Sequence, residues 1–348
     1  MRHHLGWLRG IGLLIMGVVL LGAVAAPWLA PHAADDQHPD LLFAPPTWPH
    51  IRDAGGHWHA PFIYPLRLVS RLEQRYAPDR QVRVPLVWFT RGRLVMSADD
   101  RRAPLLLLGA DSFGRDEFSR LLYGARLSLG VAAVAALGAL LVGAVVGGIA
   151  GSAGGATEEL LMRGAEFLLV LPAIYVILAL RAVMPLVLPA STVFALLAGI
   201  LALVGSPFIA QGVRAIVAAE RRREYYAAAV ACGAGRARLL FRHLLPSTRG
   251  FLLVQLTVLT PAFVLAEATL SYVGMGFPGP APSWGSMLRD AANVSAIADF
   301  PWVLAPAAAI FLVVLGLNLI LQGSGVDPAA AFHAGSPVRD AGPTADLR

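Results

Sequence analysis

Long uninterrupted runs of apolar residues are the dominant pattern along this chain of 348 residues. A helix of about 20 apolar residues spans the hydrocarbon core of a bilayer, whereas a spanning barrel strand alternates apolar and polar positions. Lipid offers the backbone no hydrogen-bond partners, so continuous runs predict helices. We therefore predict an all-α polytopic membrane protein with six transmembrane helices. The predicted spans are residues 11–30, 127–150, 164–184, 192–213, 251–273 and 302–321.

The first apolar run allows two interpretations. A basic start that includes Arg2 and Arg9 precedes the apolar stretch, and Ala23-Val24-Ala25 is similar to a signal-peptide cleavage site. The run continues to Ala30, which favours an uncleaved membrane anchor. Cleavage would leave five spans and an external N-terminus.

Arginine in the short connections predicts the orientation of the spans. The connection between the fourth and fifth spans holds Arg214, Arg221, Arg222, Arg223, Arg236, Arg238, Arg242 and Arg249. Only Arg181 and Arg289 lie in short connections on the opposite side. Because basic loops stay in the cytoplasm, we predict a multi-pass protein of the bacterial inner (plasma) membrane with both termini cytoplasmic.

The segment after the first span is predicted to lie outside the membrane on the external side. It also contains many arginines, but long segments cross the membrane largely regardless of charge. Its proline and aromatic content favours a folded segment rather than a flexible linker. The predicted division is 1–30 (tail and first helix), 31–107 (external segment), 108–325 (transmembrane core with loop 214–250) and 326–348 (cytoplasmic tail).

Composition excludes several kinds of chemistry. Only 14% of the residues are charged and 57% are hydrophobic, against about 25% charged in soluble domains. The chain contains no lysine, so it cannot hold a standard phosphate-binding P-loop, and any ATP chemistry must come from a partner. The single Cys232 excludes an internal disulfide, and His57 with His59 supplies too few ligands for a metal site. We predict no catalytic residue, no metal and no cofactor.

The connection between the fourth and fifth spans contains a short predicted helix. The stretch from Glu224 to Cys232 is rich in alanine, and Gly233 and Gly235 suit its C-terminal stop, with Pro246 closing a second turn. A short helix with an alanine surface suits insertion into a groove on a partner protein. A helix that lies on the lipid headgroups through its neighbouring arginines fits equally well.

This stretch resembles the cytoplasmic coupling loop (the "EAA loop") of ABC importer permeases. The residues that carry the resemblance are Ala228, Ala229, Gly233, Leu245 and Pro246. The sequence departs from the pattern at Ala227, where the family has glutamate, and Glu224 lies one helical turn earlier. The resemblance implies that Glu224, Tyr225, Ala228, Ala229, Gly233, Leu245 and Pro246 contact a separate ATPase subunit.

Residues 108–129 resemble the start of the second span in dipeptide, oligopeptide and nickel permeases, with Ala110 in place of the usual threonine. Asp111 or Ser112 is predicted to cap a helix there. The predicted lipid-facing residues are Phe113, Leu121, Leu122 and Leu129. The residues predicted to face the headgroups are Arg115, Asp116 and Arg126. This stretch is either an interfacial helix or part of a gate formed by Asp111 and Arg115.

Residues 267–288 resemble the end of the fifth span and the following external loop of the same family. Glu267, Ser271 and Trp284 are candidates for lining a translocation pathway, because intramembrane carboxylates are usually functional or paired. The alternative is an interfacial Glu267 that reaches water or an arginine. Gly143, Gly147, Gly151 and Gly155, spaced by four residues, predict close helix packing.

The resemblance covers residues 108–325 and implies a non-catalytic permease subunit of an ATP-driven importer for short peptides, nickel or small solutes. The implied partners are a second homologous permease, two P-loop ATPase subunits and an external solute-binding protein, with no nucleic acid. Two alternatives remain. A stand-alone secondary transporter would need charged groups at the bilayer midplane, which the spans nearly lack. A membrane enzyme or assembly factor that uses the external segment is the other, and no catalytic constellation in the sequence supports it.

Overall fold

The computed structural model of the chain describes residues 2–53, 55–170, 175–176, 179, 188–292 and 294–323. Helices dominate. In chain order they are α1 (Arg2–Val24), α2 (Ala26–Leu29), α3 (Glu117–Ala153), α4 (Gly155–Val170), α5 (Ala190–Glu220), α6 (Glu224–Ala231), α7 (Arg236–Leu239), α8 (Leu245–Ser247), α9 (Arg249–Tyr272), α10 (Trp284–Asp290), α11 (Val294–Asp299) and α12 (Ala305–Gly323). A π-helical turn (Leu240–Leu244) precedes α8, and a 3-10 turn (Pro301–Leu304) precedes α12.

Five helices in the described part of the chain are long and apolar enough to cross a membrane. They are α1, α3, α5, α9, and α12 with its preceding turn. The predicted helical membrane class is therefore confirmed. The predicted third span, residues 164–184, begins within α4, but most of it from residue 171 onward lies outside the described residues. The count of six spans thus stays a prediction.

The strands occur between α2 and α3, where the sequence indicated only a folded segment. They are β1 (His50–Arg52), β2 (Trp58–Ile63), β3 (Leu66–Ser70), β4 (Arg75–Pro78), β5 (Val84–Thr90) and β6 (Arg93–Ser97). One antiparallel sheet has the order β1-β2-β5-β6, and β3 pairs with β4 separately. Ile63, Val84, Leu86 and Leu105 form a small buried core beneath these strands.

The main core lies where α3 packs along α5. A β-carbon added to Gly143 would lie 2.6 Å from Cβ of Ile209, and one on Gly147 would lie 2.3 Å from the carbonyl oxygen of Ala210. A β-carbon on Gly151 would lie 2.8 Å from the carbonyl oxygen of Arg214, so three of the four predicted glycines bring the two backbones together. The prediction is wrong for Gly155, which begins α4 with a positive φ of 59° and has open space around it.

Helix α1 packs against α12 through a similar close approach. A β-carbon on Gly12 would lie 2.6 Å from the carbonyl oxygen of Gly316. The other face of α1 exposes leucines such as Leu14 and Leu21, and α3 exposes Leu141. Large exposed apolar side chains along helices of this length are suited to contact with lipid.

Candidate functional site

The short helix α6 lies in the connection between α5 and α9. Glu224 stands in its first turn, where a negative charge favours the helix dipole, and the alanines that follow have high helix propensity. The helix ends in a Schellman motif, because the Ala234 amide donates to the Ala229 carbonyl and the Gly233 amide donates to the Val230 carbonyl. Gly233 has a φ of 79°, which glycine adopts without strain. The predicted glycine stop is confirmed at this residue.

Tyr225 ties α6 back to the end of α5. Its hydroxyl donates to Oε2 of Glu220 at 2.7 Å, and its ring lies 6.4 Å from the ring of His243. Burial and the hydrogen bond to Glu220 raise the pKa of Tyr225 to about 12, so the hydroxyl remains a donor at neutral pH. Glu220 also pairs with Arg223 at 3.2 Å. These contacts fix the angle at which α6 leaves α5.

One face of α6 is exposed and apolar. Tyr226 is half-buried and packs against the main core, which turns the opposite face outward. The outward side chains are Ala227, Ala228, Val230 and Ala231, and Val230 is 49% exposed. Ala227, the position that departs from the family pattern, therefore belongs to this exposed face.

The second half of the connection packs onto the two helices of the main core. Leu244 is buried, and Leu245 lies against Gly148 of α3, where an added β-carbon would lie 3.1 Å from its Cδ2 atom. Pro246 stands in the first turn of α8, where its missing amide hydrogen costs no helical hydrogen bond. A displacement of this second half of the connection would therefore act directly on α3.

Four charged side chains form a buried cluster at the other end of α3. Arg115 donates from Nε to Oδ2 of Asp111 at 2.7 Å and from Nη2 to Oδ2 of Asp290 at 2.7 Å. Arg120 pairs with the same two carboxylates, 3.3 Å from Asp290 and 3.5 Å from Asp111. Arg120 is only 1% exposed, and its Nε and Nη1 atoms have no hydrogen-bond partner among the described residues. Two arginines and two aspartates thus balance each other in a largely buried site.

The helix cap here differs from the predicted one. Asp116, not Asp111 or Ser112, caps α3, and its carboxylate accepts from the amides of Phe118 and Ser119. The Asp111 Oδ1 atom instead accepts from the amides of Phe113 and Arg115 and closes the turn before the helix.

The predicted division of this stretch between lipid and headgroups is also partly wrong. Arg115 and Asp116 are buried, because they serve the ion-pair cluster and the helix cap, and Leu129 joins the main core. Phe113 is half exposed, Leu121 and Leu122 are half-buried, and Arg126 is exposed.

Glu267 lies fully buried in α9, one turn before Ser271. The Ser271 hydroxyl donates to Oε1 of Glu267 at 2.6 Å, and the hydroxyls of Ser128 and Ser283 lie beside the same carboxyl group. No arginine pairs with Glu267 among the residues with assigned positions, and its Oε2 atom has no partner there. The interpretation of Glu267 as an interfacial group that reaches water or an arginine is therefore wrong in this structure.

Trp284 joins the Glu267 site to α3. It begins α10, where Ser283 and Ser286 form a capping box. The Trp284 amide donates to Oγ of Ser128 at 3.1 Å, and its indole Nε1 donates to the Leu121 carbonyl at 3.1 Å. The indole is 1% exposed and lies against Gly124 of the same helix. Helix α10 is thus held by its first residue on α3 and by its last, Asp290, on the arginine cluster.

The structure arranges the predicted residues at two ends of α3. Asp111, Arg115, Glu267, Ser271 and Trp284 lie around its N-terminal part, and the α6 connection lies against Gly148 near its C-terminal end. The part of α3 from Glu117 to Gly148 corresponds to roughly 45 Å of helix. Arg120, Asp290, Ser128 and Ser283 were not predicted as site residues, because their contacts with the site are made between different elements. The available signal was the presence of Ser271, Ser283 and Trp284 with Glu267 in residues 267–288, the stretch that resembles the permease family.

Two family models match parts of this chain. Residues 143–325 match the family described as binding-protein-dependent transport system inner membrane component. Residues 7–46 match the N-terminal transmembrane domain of oligopeptide transport permease C. The first match covers α5, the α6 connection, α9 and α12.

Individual relatives extend the similarity along most of the chain. The di/tripeptide transport system permease protein DppC of Pseudomonas aeruginosa is 31% identical over 92% of this chain and 86% of its own length. The oligopeptide transport system permease protein OppC of Bacillus subtilis is 36% identical over 62% of this chain and 68% of its own length. The dipeptide permease DppC of Alkalihalophilus pseudofirmus is 39% identical over the same share.

These matches support the hypothesis of an importer permease and not that of a stand-alone secondary transporter. They also agree with the five apolar helices, which place the chain in a membrane as a multi-pass protein. The chain belongs to the family of inner-membrane permease components of binding-protein-dependent ABC transport systems.

Proposed function

We propose that this chain is one of two homologous permease subunits of an ATP-driven importer, and that it forms part of the pathway for short peptides. Its curated relatives are named as peptide, dipeptide and oligopeptide permeases, which supports this substrate class over nickel. Two P-loop ATPase subunits would bind on the cytoplasmic side, and an external solute-binding protein would deliver the peptide. Both termini and the α6 connection would be cytoplasmic, and residues 31–107 would be external.

The exposed face of α6 is the observation that carries this proposal. Ala227, Ala228 and Val230 present a small apolar surface on a helix whose start and end are fixed by hydrogen bonds. Arginines flank α6 on both sides but none lies within it, so the helix surface itself is poorly suited to bind headgroups. An apolar helix face that is held rigid suits a groove on a protein partner.

The packing behind α6 gives a route for coupling. Leu245 lies against Gly148 of α3, and α3 continues to the cluster of Asp111, Arg115, Arg120 and Asp290 at its other end. We propose that closure of the ATPase subunits shifts α3, and that the cluster together with Glu267, Ser271 and Trp284 holds the external end of the pathway shut between cycles.

Negative charges introduced on the exposed face of α6 test whether this helix docks on the ATPase. The double variant Ala228→Glu, Val230→Glu places two carboxylates in the proposed groove contact, so the ATPase should no longer co-purify with the permease from native membranes. Val69→Glu is the matched control, because Val69 is 67% exposed on β3 and lies far from α6 in the chain. Both variants should insert normally into membranes. Retention of the ATPase by the double variant would overturn the docking proposal.

Growth on peptides tests the substrate class. A strain that requires one amino acid and lacks this permease should fail to grow when that amino acid is supplied only within di- to pentapeptides. The wild-type gene should restore growth, and the α6 double variant should not. If the strain that lacks the permease still grows on peptides but no longer takes up nickel, the peptide proposal is wrong and the importer carries nickel.

A further inference from the structure

Three separate parts of the chain meet beside the first turn of α3. Residues 31–38 follow α2, residues 99–102 follow β6, and Asp116 caps α3. The amide of His32 donates to Oγ of Ser119 at 3.1 Å, and the amide of His38 donates to the Gly114 carbonyl at 2.9 Å. The backbones of both histidines are therefore fixed on the start of α3.

His32 is buried between two carboxylates. Its Nδ1 atom lies 3.2 Å from Oδ2 of Asp116, and its Nε2 atom lies 2.8 Å from Oδ1 of Asp100. Burial alone would lower the pKa of His32, but the hydrogen bonds to Asp100 and Asp116 outweigh it and raise the pKa to about 9. Asp116 is fully buried, whereas the side chain of Asp100 is 36% exposed.

His38 completes the group. Its ring lies 5.3 Å from the ring of His32, nearly at a right angle. The Nδ1 atom of His38 is buried and has no hydrogen-bond partner among the described residues. One nitrogen or oxygen each from His32, His38 and Asp100 lies within 4.8 Å of the others. A buried ring nitrogen without a partner calls for a physical explanation, and a bound ion is one.

We propose that His32, His38 and Asp100 form a binding site for a first-row divalent metal ion of the Zn²⁺ type, with Asp116 as the outer carboxylate that orients His32. Two imidazoles and one carboxylate are a ligand set that Zn²⁺ and its neighbours favour. When the Nδ1–H group of His32 donates a hydrogen bond to Asp116, the Nε2 atom of the same ring is free to bind the metal. Water would be the fourth ligand, and it would reach the metal from the exposed side of Asp100.

The geometry requires a modest closure of the three side chains. Ligand atoms around a tetrahedral zinc with bonds of 2.0–2.1 Å are about 3.3 Å apart, so the widest pair would move together by up to about 1.5 Å. The His32–Asp100 pair is already closer than this. Because the two histidine backbones are anchored on α3, rotation of the side chains supplies the remaining movement.

Such an ion would join the segment that follows the first membrane helix, the end of the strand region and the first turn of α3. In the absence of an ion, His32 joins all three parts through its hydrogen bonds to Ser119, Asp116 and Asp100, with a proton where the metal would bind. Metal binding should therefore slow amide exchange in residues 31–38 and 99–102. The site is independent of the proposed transport role, since it involves neither α6 nor the cluster around Asp290.

The test is metal binding by the full-length protein, purified in detergent without a histidine tag. After chelation and buffer exchange, the wild type should bind one equivalent of Zn²⁺, and one equivalent of Co²⁺ should give the intense visible absorption of a tetrahedral site. His38→Ala and Asp100→Asn should each weaken Zn²⁺ binding at least about 10-fold. The matched control is the double variant His57→Ala, His59→Ala, which removes two exposed histidines of the same segment and should bind Zn²⁺ like the wild type.

Amide exchange provides a second readout, which reports on the segment that the ion would hold rather than on the amount of metal bound. Zn²⁺ should slow exchange in residues 31–38 of the wild type and of the His57/His59 control, and should have no effect in His38→Ala. Sub-stoichiometric binding by the wild type, or equal binding by His38→Ala, would overturn the proposal. The group would then be an ion pair of His32 with its two aspartates.

Discussion

Nη2 of Arg115 and Oδ2 of Asp290 lie 2.7 Å apart, although 175 residues separate them in the chain. Arg115 precedes α3 and Asp290 ends α10, so this contact joins the start of one long helix to the end of a short one. Arg120 reaches the same aspartate from one turn into α3. The contact therefore determines where α10, and with it Trp284, lies against α3.

Asp290→Asn should destabilise the protein strongly. Among the described residues, Asp111 would then be the one carboxylate left in an ion pair with Arg115 and Arg120, and removal of one partner from a buried ion pair costs about 3–5 kcal/mol. The apparent melting temperature in detergent should fall by several degrees. Glu159→Gln is the control, because its pair with Arg163 is exposed and worth about 0–1 kcal/mol. Equal melting temperatures for the two variants would show that the cluster does not hold α10.

Gly147→Ala should separate α3 from α5. The added methyl would lie 2.3 Å from the Ala210 carbonyl oxygen, a backbone atom that cannot move without shifting the helix. Gly199→Ala in α5 is the control, since no atom lies within 4 Å of its added methyl, and alanine there gains about 0.8–1.0 kcal/mol of helix propensity. Size-exclusion profiles after heating should show early aggregation for the first variant and none for the second. The reverse order of stability would contradict the packing account.

Gly233→Val should weaken the interaction with the ATPase without preventing membrane insertion. Gly233 has a φ of 79°, and a side chain in the left-handed region costs about 1–2 kcal/mol, so the end of α6 would unwind. We expect the affinity for the ATPase to fall about 5- to 30-fold. Gly235→Ala, at a φ of −67°, should retain wild-type affinity. An unchanged affinity of Gly233→Val in titrations with purified ATPase would show that the rigid end of α6 is not needed.

Glu267→Gln should retain most peptide uptake, whereas Glu267→Ala should lose it. Glutamine keeps the acceptor oxygen for the Ser271 hydroxyl and nearly the same volume, and no arginine pairs with the carboxylate among the residues described. Alanine would leave a cavity, and the hydroxyls of Ser128, Ser271 and Ser283 would lose the carboxyl group beside them. Uptake of a labelled peptide by whole cells distinguishes the variants. Complete loss of uptake in Glu267→Gln would show that the negative charge itself is required.

The sequence predicted those elements whose pattern lies within one continuous stretch of residues. The length of the apolar runs predicted α1, α3, α5, α9 and α12, because lipid leaves a continuous apolar segment no alternative to a helix. The alanines of α6 and Gly233 predicted that helix and its end within two residues. The strands between α2 and α3 were not predicted, because their short, proline-containing pattern lacks a regular alternation of apolar and polar residues.

Contacts between residues that are distant in the sequence could not be predicted from local patterns. Asp111, Ser112 and Asp116 are all suitable caps by residue type, and only the tertiary structure commits Asp111 to Arg115 and leaves the cap to Asp116. Arg120 and Asp290 carry no local signal, since each is balanced by a residue from another element. The depth of Glu267 depends on how α10 folds over it, which hydropathy does not report.

The most direct test of the account is to purify the tagged protein gently from native membranes and identify its companions by mass spectrometry. We expect a P-loop ATPase and a second, homologous permease, both recovered in amounts comparable to the tagged chain. Recovery of this chain alone, stable and able to take up solute with an ion gradient as the energy source, would contradict the account and would make α6 a helix that rests on the lipid headgroups.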